Sequence, residues 1–259
     1  KGMAAVTEVS LMLVWTANVN HTGLFAAESK GYFEQAGLKV NIIQPGEVYA
    51  EQAVAGGAAD FGISFQEQVS IARAGAAPLV SIAAIIQHNS SGFASPADRN
   101  VASPADWAGL TYGSFGSPFE SPTLKALMTC AGGDFSKLTI AETGYADPLA
   151  LMAADQIDLA WIFYGTQGIA AQEQGVDLYV EMLDQHFDCI PDYYTPVIIA
   201  SEQTINTRPE IVRAFLKAVS QGYEFAIQNP DEAAAFLLEQ SPEAGEALLK
   251  ASQAWLSPR

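Results

Sequence analysis

Short apolar runs recur along the chain. Each ends in a loop of polar and aromatic residues, and each loop is followed by a helical pattern. Leu11-Met12-Leu13-Val14-Trp15 leads into Thr16-Ala17-Asn18-Val19-Asn20-His21-Thr22-Gly23. Asp60-Phe61-Gly62-Ile63 leads into Ser64-Phe65-Gln66-Glu67-Gln68, and Tyr112-Gly113 into Ser114-Phe115-Gly116-Ser117-Pro118. Leu159-Ala160-Trp161-Ile162 leads into Phe163-Tyr164-Gly165. In open α/β sheets, ligands bind outside the carboxyl ends of strands, where such loops gather. Loops of this kind from two halves of one chain predict a cleft gripping one small molecule.

Period and punctuation extend the pattern. Strands are predicted over residues 9–15, 38–43, 60–63 and 79–86, alternating with helices over 23–35, 48–55 and 66–74. The run 79–86 is apolar apart from Ser81 and reads as a buried strand. Strand–helix alternation implies a parallel sheet. Residues 95–100 read as a boundary, and Ser103 then caps a helix opening on Pro104. A second block follows, with strands near 110–112, 138–140, 159–162 and 178–181 and helices near 122–130, 148–154 and 166–174. A further apolar strand spans 195–200. From Arg208 onward the pattern is helical, with Ile211, Val212, Phe215, Val219 and Tyr223 on one face. A helical end without a new sheet must pack on an existing domain, most economically the first. The predicted architecture is α/β: lobe one from 1–94 plus 197–259, and lobe two from 95–196. Its two crossings make a hinge, and hinged closure around a ligand is a known use of that arrangement.

Composition narrows the function. The chain has 259 residues, 49% of them hydrophobic and 16% charged, with a net charge of −17. That is a globular composition. The acidity would repel a phosphate backbone or an anionic membrane surface, which argues against nucleic acid as a partner. No apolar stretch reaches transmembrane length. Residues 1–5 lead straight into a strand-like run, so the reading is of a cytoplasmic chain or one whose signal segment, with any lipid anchor, has been removed. Cys130 and Cys189 are too few for a disulfide framework or a zinc site and are expected to be unpaired thiols.

The loops supply the candidate chemistry. Trp15, Phe65, Trp161, Tyr164 and Tyr193 offer flat faces for a planar heterocycle, with core packing as the alternative for each. Glu67, Glu120 and Asp192 offer acceptors for an exocyclic amine or a protonated ring nitrogen. For the two glutamates the alternative is favourable charge at a helix N-terminus. Asn18, His21, Gln66, Ser64, Ser114, Gly116 and Ser117 are the remaining candidate ligand contacts, with packing beside the helix start as the alternative for His21. Arg73, Arg99, Arg208, Arg213 and Arg259 all lie outside these loops, which weighs against a sulfonate, phosphate or nitrate ligand. No metal-ligand spacing, P-loop, dinucleotide fingerprint or nucleophile elbow occurs. The expectation is a binding protein with no catalytic residues, metal or cofactor.

Several blocks in one collinear order carry a resemblance. They include Gly31-Tyr32-Phe33 with Gly37-Leu38, Gln66-Glu67-Gln68, Trp161-Ile162-Phe163-Tyr164-Gly165, Asp192-Tyr193-Tyr194 and Gly222-Tyr223-Glu224-Phe225-Ala226. The chain resembles the NMT1/THI5-like substrate-binding proteins of ABC importers, nearest to ThiY-type binders of thiamine pyrimidine precursors. The resemblance implies a two-lobed type II periplasmic binding protein fold, an aminopyrimidine ligand between the lobes, ABC permease subunits as partners, an extracytoplasmic location and a monomer. A carrier of riboflavin or another flat heterocycle is the alternative. A third reading is a related pyrimidine synthase, which uses a lysine four residues before a histidine. Here those positions are Ser64 and Gln68, and a Schiff base needs an amine.

Overall fold

A computed structural model describes residues 6–46 and 48–259. The opening run 1–5, read above as leading into the first strand, lies outside the described residues. The chain begins with β1 (Thr7–Met12), α1 (Thr22–Ser29), α2 (Tyr32–Gln35), β2 (Leu38–Ile43), α3 (Ala50–Ala55), β3 (Phe61–Ser64), α4 (Gln66–Ala74) and β4 (Leu79–Ala84). It continues with β5 (Ser91–Pro96), β6 (Thr111–Ser114), α5 (Glu120–Cys130), β7 (Thr139–Glu142), α6 (Pro148–Ala153), β8 (Leu159–Phe163), α7 (Ile169–Glu173) and β9 (Leu178–Met182). It closes with β10 (Val197–Ser201), α8 (Glu202–Thr207), α9 (Pro209–Gln228), α10 (Pro230–Gln240) and α11 (Glu246–Leu256).

Two compact units result. Unit one holds residues up to Gln87 together with Tyr194–Arg259, and unit two holds His88–Tyr193. The first crossing falls earlier than residues 94–95, where the sequence placed it, because β5 belongs wholly to the second sheet. Sheet one runs β2-β1-β3-β10-β4 and sheet two β7-β6-β8-β5-β9. The parallel sheet expected from strand–helix alternation is corrected to a mixed one, and the second sheet is mixed as well. Strand β10 pairs antiparallel with β3 and β4, and β5 pairs antiparallel with β8 and β9. In each unit the antiparallel strand is the first one reached after a crossing, so it needs no βαβ connection and is free to run the other way. The run predicted as a buried strand over 79–86 is also corrected. It forms the edge strand β4, where Leu79 is buried and Val80–Ala84 are half-buried or exposed.

Packing in unit one centres on α9. Its buried side chains Val212, Phe215, Ala218, Val219 and Ala226 recur at helical spacing and form one apolar stripe. Phe215 stacks on Phe61 of β3 with centroids 3.9 Å apart and on Phe33 at 5.8 Å. Helix α9 also crosses α1 in backbone contact. A Cβ at Gly222 would stand 2.0 Å from the Gly23 carbonyl oxygen, so only glycine fits.

Unit two packs Phe93, Trp107, Tyr112, Leu124, Met128 and Leu159 into its core. Cys130, ending α5, is bonded to Cys189, with Cα atoms 5.9 Å apart. This corrects the expectation of two unpaired thiols. Their pairing is set by tertiary contact across 59 residues of sequence, which spacing alone does not reveal.

Candidate functional site

Unit one presents loops at the carboxyl ends of β1 and β3. After β1, Trp15 is half-buried. Asn18–His21 form a capped turn ahead of α1: the Asn18 side-chain oxygen accepts from the Asn20 N–H at 3.0 Å, and His21 Nδ1 accepts from the Asn18 N–H at 3.3 Å. His21 is 1% exposed, and burial lowers its imidazole to about 3, so the ring is neutral. Asn18 and His21, read from sequence as ligand contacts, are therefore engaged in shaping the turn.

After β3, the Ser64 hydroxyl is buried and donates to the Glu51 carboxylate of α3. Phe65 is half-buried at the start of α4. Gln66 clasps the chain where it re-enters the unit. Its side-chain oxygen accepts from the Tyr194 N–H at 2.8 Å, and its own N–H donates to the Tyr194 carbonyl at 3.3 Å. Glu67 occupies the first turn of α4. Burial raises its carboxyl to about 7; a hydrogen bond to its own N–H works against the rise, and the Glu51 carboxylate adds to it. Glu67 Oε2 is buried and has no hydrogen-bond partner among the described residues.

In unit two, Glu120 organises the loop after β6. It is 2% exposed and accepts from the Tyr112 hydroxyl, from the Ser114 hydroxyl at 3.2 Å, and from the N–H groups of Phe115, Gly116 and Ser117 at 3.1, 2.9 and 2.6 Å. Its lone pairs are thus used within the loop. Burial, and next to it the Glu120 charge, push the Tyr112 phenol well above its usual value. Ser114, Gly116, Ser117 and Glu120 form one self-satisfied cradle, and what it displays is aromatic.

That display is built around Trp161 of β8. The Trp161 ring lies 5.0 Å from Phe93 and 6.1 Å from both Phe115 and Phe119, centroid to centroid. Phe119 meets Tyr193 edge-on at 5.9 Å. Phe115 and Phe119 had no candidate role in the sequence. The available signal was two aromatics bracketing the turn Gly116-Ser117-Pro118. Tyr164 opens a π-helical turn, and its hydroxyl accepts from Gln172 Nε2 at 2.8 Å.

Asp192 precedes Tyr193 at the end of the unit. It bonds the His88 ring through Nδ1 at 2.6 Å and accepts from the Asn89 N–H at 3.1 Å. Burial raises the Asp192 carboxyl, but the His88 and Asn89 hydrogen bonds outweigh it and hold the group below the usual range. Asn89 then connects Asp192 to the aromatics. Its side-chain oxygen accepts from both the Ser91 N–H at 2.8 Å and the Ser91 hydroxyl at 2.6 Å, and Trp161 Nε1 donates to that hydroxyl oxygen at 2.8 Å. Unit two thus joins Trp161, Asp192 and Tyr193 in one region. Among the described residues, no group of three His, Cys, Asp or Glu could hold a metal ion.

Comparison with known proteins bears on the family and the fold. The model of the NMT1/THI5 like family matches residues 18–233. A formylaminopyrimidine-binding protein of Halalkalibacterium halodurans is 31% identical over 95% of this chain and 74% of its own length. A 4-amino-5-hydroxymethyl-2-methylpyrimidine phosphate synthase of Legionella pneumophila is 24% identical over 92% of this chain and 75% of its own. Among solved structures, the alkanesulfonate-binding protein SsuA of Xanthomonas axonopodis pv. citri superposes with a TM-score of 0.74 at 16% identity, over 97% of this chain and 85% of that one. That likeness shows the fold, which is that of the periplasmic binding proteins.

Proposed function

The chain belongs to the NMT1/THI5-like family, and from that premise we propose that it binds a thiamine pyrimidine precursor, such as a formylaminopyrimidine, for an ABC importer. The observation that carries this reading is in unit two, where Trp161, Phe119 and Tyr193 stand in the same region as an Asp192 carboxylate held ionised by its hydrogen bonds. Aromatic faces stack on a planar ring. A carboxylate accepts from an amine or a protonated ring nitrogen through a charge-assisted bond. In unit one, Trp15, Phe65 and Glu67 are further candidates for ligand contact. Burial raises the Glu67 carboxyl to about 7, and its Oε2 is an acceptor without a partner among the described residues.

A carrier fits the loops better than an enzyme does. Schiff-base chemistry needs an amine nucleophile. Ser64 offers a hydroxyl, and that hydroxyl already donates to Glu51. The Cys130–Cys189 bond supports an extracytoplasmic location, since disulfides persist in oxidising compartments. No described helix is long and apolar enough to cross a membrane. Permease transmembrane subunits are the partners this reading requires.

Calorimetric titration tests the proposal, with formylaminomethyl-pyrimidine, riboflavin and taurine in parallel. The expected result is one-to-one binding of the pyrimidine alone. Binding of riboflavin alone would keep a carrier and replace its ligand; binding of taurine alone would move the protein to the sulfonate carriers.

A further inference from the structure

We propose that Asn89 donates a hydrogen bond to the bound heterocycle, as a specificity-determining partner to Asp192. The assignment rests on the pyrimidine-carrier reading and adds a residue outside the candidate loops. Proton ownership comes first. An indole nitrogen can only donate, so Ser91 Oγ is the acceptor in its 2.8 Å contact with Trp161 Nε1. The single Ser91 hydroxyl proton is therefore available for Asn89, 2.6 Å away. The Ser91 backbone N–H, also a donor only, reaches the same Asn89 atom at 2.8 Å. Two donors meeting on one atom identify it as the amide oxygen, which fixes the orientation of the Asn89 side chain.

Its amide nitrogen is left over. Asn89 is 2% exposed, and Nδ2 is buried with no partner among the described residues. Buried amide donors are nearly always paired, and leaving one unpaired is costly. Here the Trp161–Ser91 relay holds the donor in that state, and the Asn89 N–H meanwhile binds Asp192. One residue thus joins an aromatic face, an unspent donor and a carboxylate acceptor. The matching ligand is a flat heterocycle with a ring nitrogen or carbonyl as acceptor beside an amine or N–H donor. An aminopyrimidine edge has that pattern: the ring nitrogen would accept from Asn89 and the exocyclic amine would donate to Asp192.

The test is Asn89→Asp, titrated with formylaminomethyl-pyrimidine alongside the unaltered protein. The substitution keeps an oxygen for Ser91 and replaces the donor with an acceptor. We expect affinity to fall about 10–100-fold or more, as for the loss of a buried hydrogen-bond partner. In the unaltered protein, the Asn89 side-chain amide protons, followed by 1H–15N NMR, should shift and become protected from exchange when the pyrimidine saturates the site. A folded variant that binds as tightly as the unaltered protein overturns the role of Asn89 while the carrier reading stands. If the variant fails to fold, the amide resonance decides, and an unchanged signal at saturation overturns the proposal. If the unaltered protein binds no pyrimidine, the carrier reading fails and this assignment fails with it.

Discussion

His88 Nδ1 lies 2.6 Å from an Asp192 carboxylate oxygen, joining the first residue of unit two to its penultimate one. The other Asp192 oxygen accepts from the Asn89 N–H, so this carboxylate ties the entering segment of the unit to the leaving one.

The Asp192 contact has a defined pH signature. Its carboxyl is held below the ordinary aspartate value, so the folded state binds fewer protons than the unfolded state in that range. The stabilisation is complete above about pH 4, the unfolded value. It is lost as pH falls through the lower folded value. Melting temperatures of the unaltered protein and Asp192→Asn, measured from about pH 3 to 8, should differ most above about pH 5 and converge at the acid end. A constant gap across the range would mean that the carboxylate charge contributes nothing.

Glu67 has the opposite sign. Burial raises its folded value to about 7, so the folded state holds a proton that the unfolded chain releases near the ordinary value of 4.5. Ionising Glu67 therefore costs stability progressively from about pH 4.5 to about pH 7, and the cost levels off above that. Glu67→Gln removes the charge. At about pH 8 it should be more stable than the unaltered protein by at most about 3 kcal/mol, since a tenfold change in proton affinity is worth about 1.36 kcal/mol. The difference should vanish near about pH 4. Denaturant unfolding at the two pH values checks it, and equal stabilities at the alkaline end would refute it.

Legibility in the sequence followed the side-chain period. Strand β2 is predicted over its observed span because Leu38 and Val40 alternate with exposed Lys39 and Asn41. The α9 stripe shows for the same reason, as a period of about 3.6. Strand β5 did not show, because Ser91-Gly92-Phe93-Ala94-Ser95-Pro96 has a turn-like composition. The small residues answer to crowding: a Cβ at Gly92 would stand 2.4 Å from the Glu181 carbonyl oxygen on β9. Missing that strand displaced the first crossing and hid Asn89, which sits just before it. The loop aromatics were visible as residue types. Which of their neighbours were already satisfied was not, because the Glu120 cradle and the His21 turn exist only as hydrogen-bond networks.

The contact between α1 and α9 predicts a steep local penalty. Gly222→Ala would place a methyl 2.0 Å from the Gly23 carbonyl oxygen and 2.7 Å from the Ala27 Cβ. Backbone cannot rotate away as a flexible side chain can, so the helices must separate. We expect a loss at the upper end of the usual range of about 1–3 kcal/mol for overpacking, or beyond it. Urea unfolding measures the loss, and a change below about 0.5 kcal/mol would show that the helices separate freely.

The disulfide predicts a redox-dependent stability centred on unit two. Bonding Cys130 to Cys189 closes a loop across 59 residues. In the chain-entropy model a loop of that size is worth about 4 kcal/mol, chiefly through restriction of the unfolded chain. The paired Cys130→Ser and Cys189→Ser variant should therefore unfold at lower denaturant in both reducing and oxidising buffer. The unaltered protein should fall to the same midpoint only when reduced. Because the bond ties the end of α5 to the segment leading into Asp192 and Tyr193, its loss should also weaken pyrimidine binding by loosening that segment. Full affinity in a destabilised double variant would confine the disulfide to stability; an unchanged midpoint on reduction would contradict the loop-closure account.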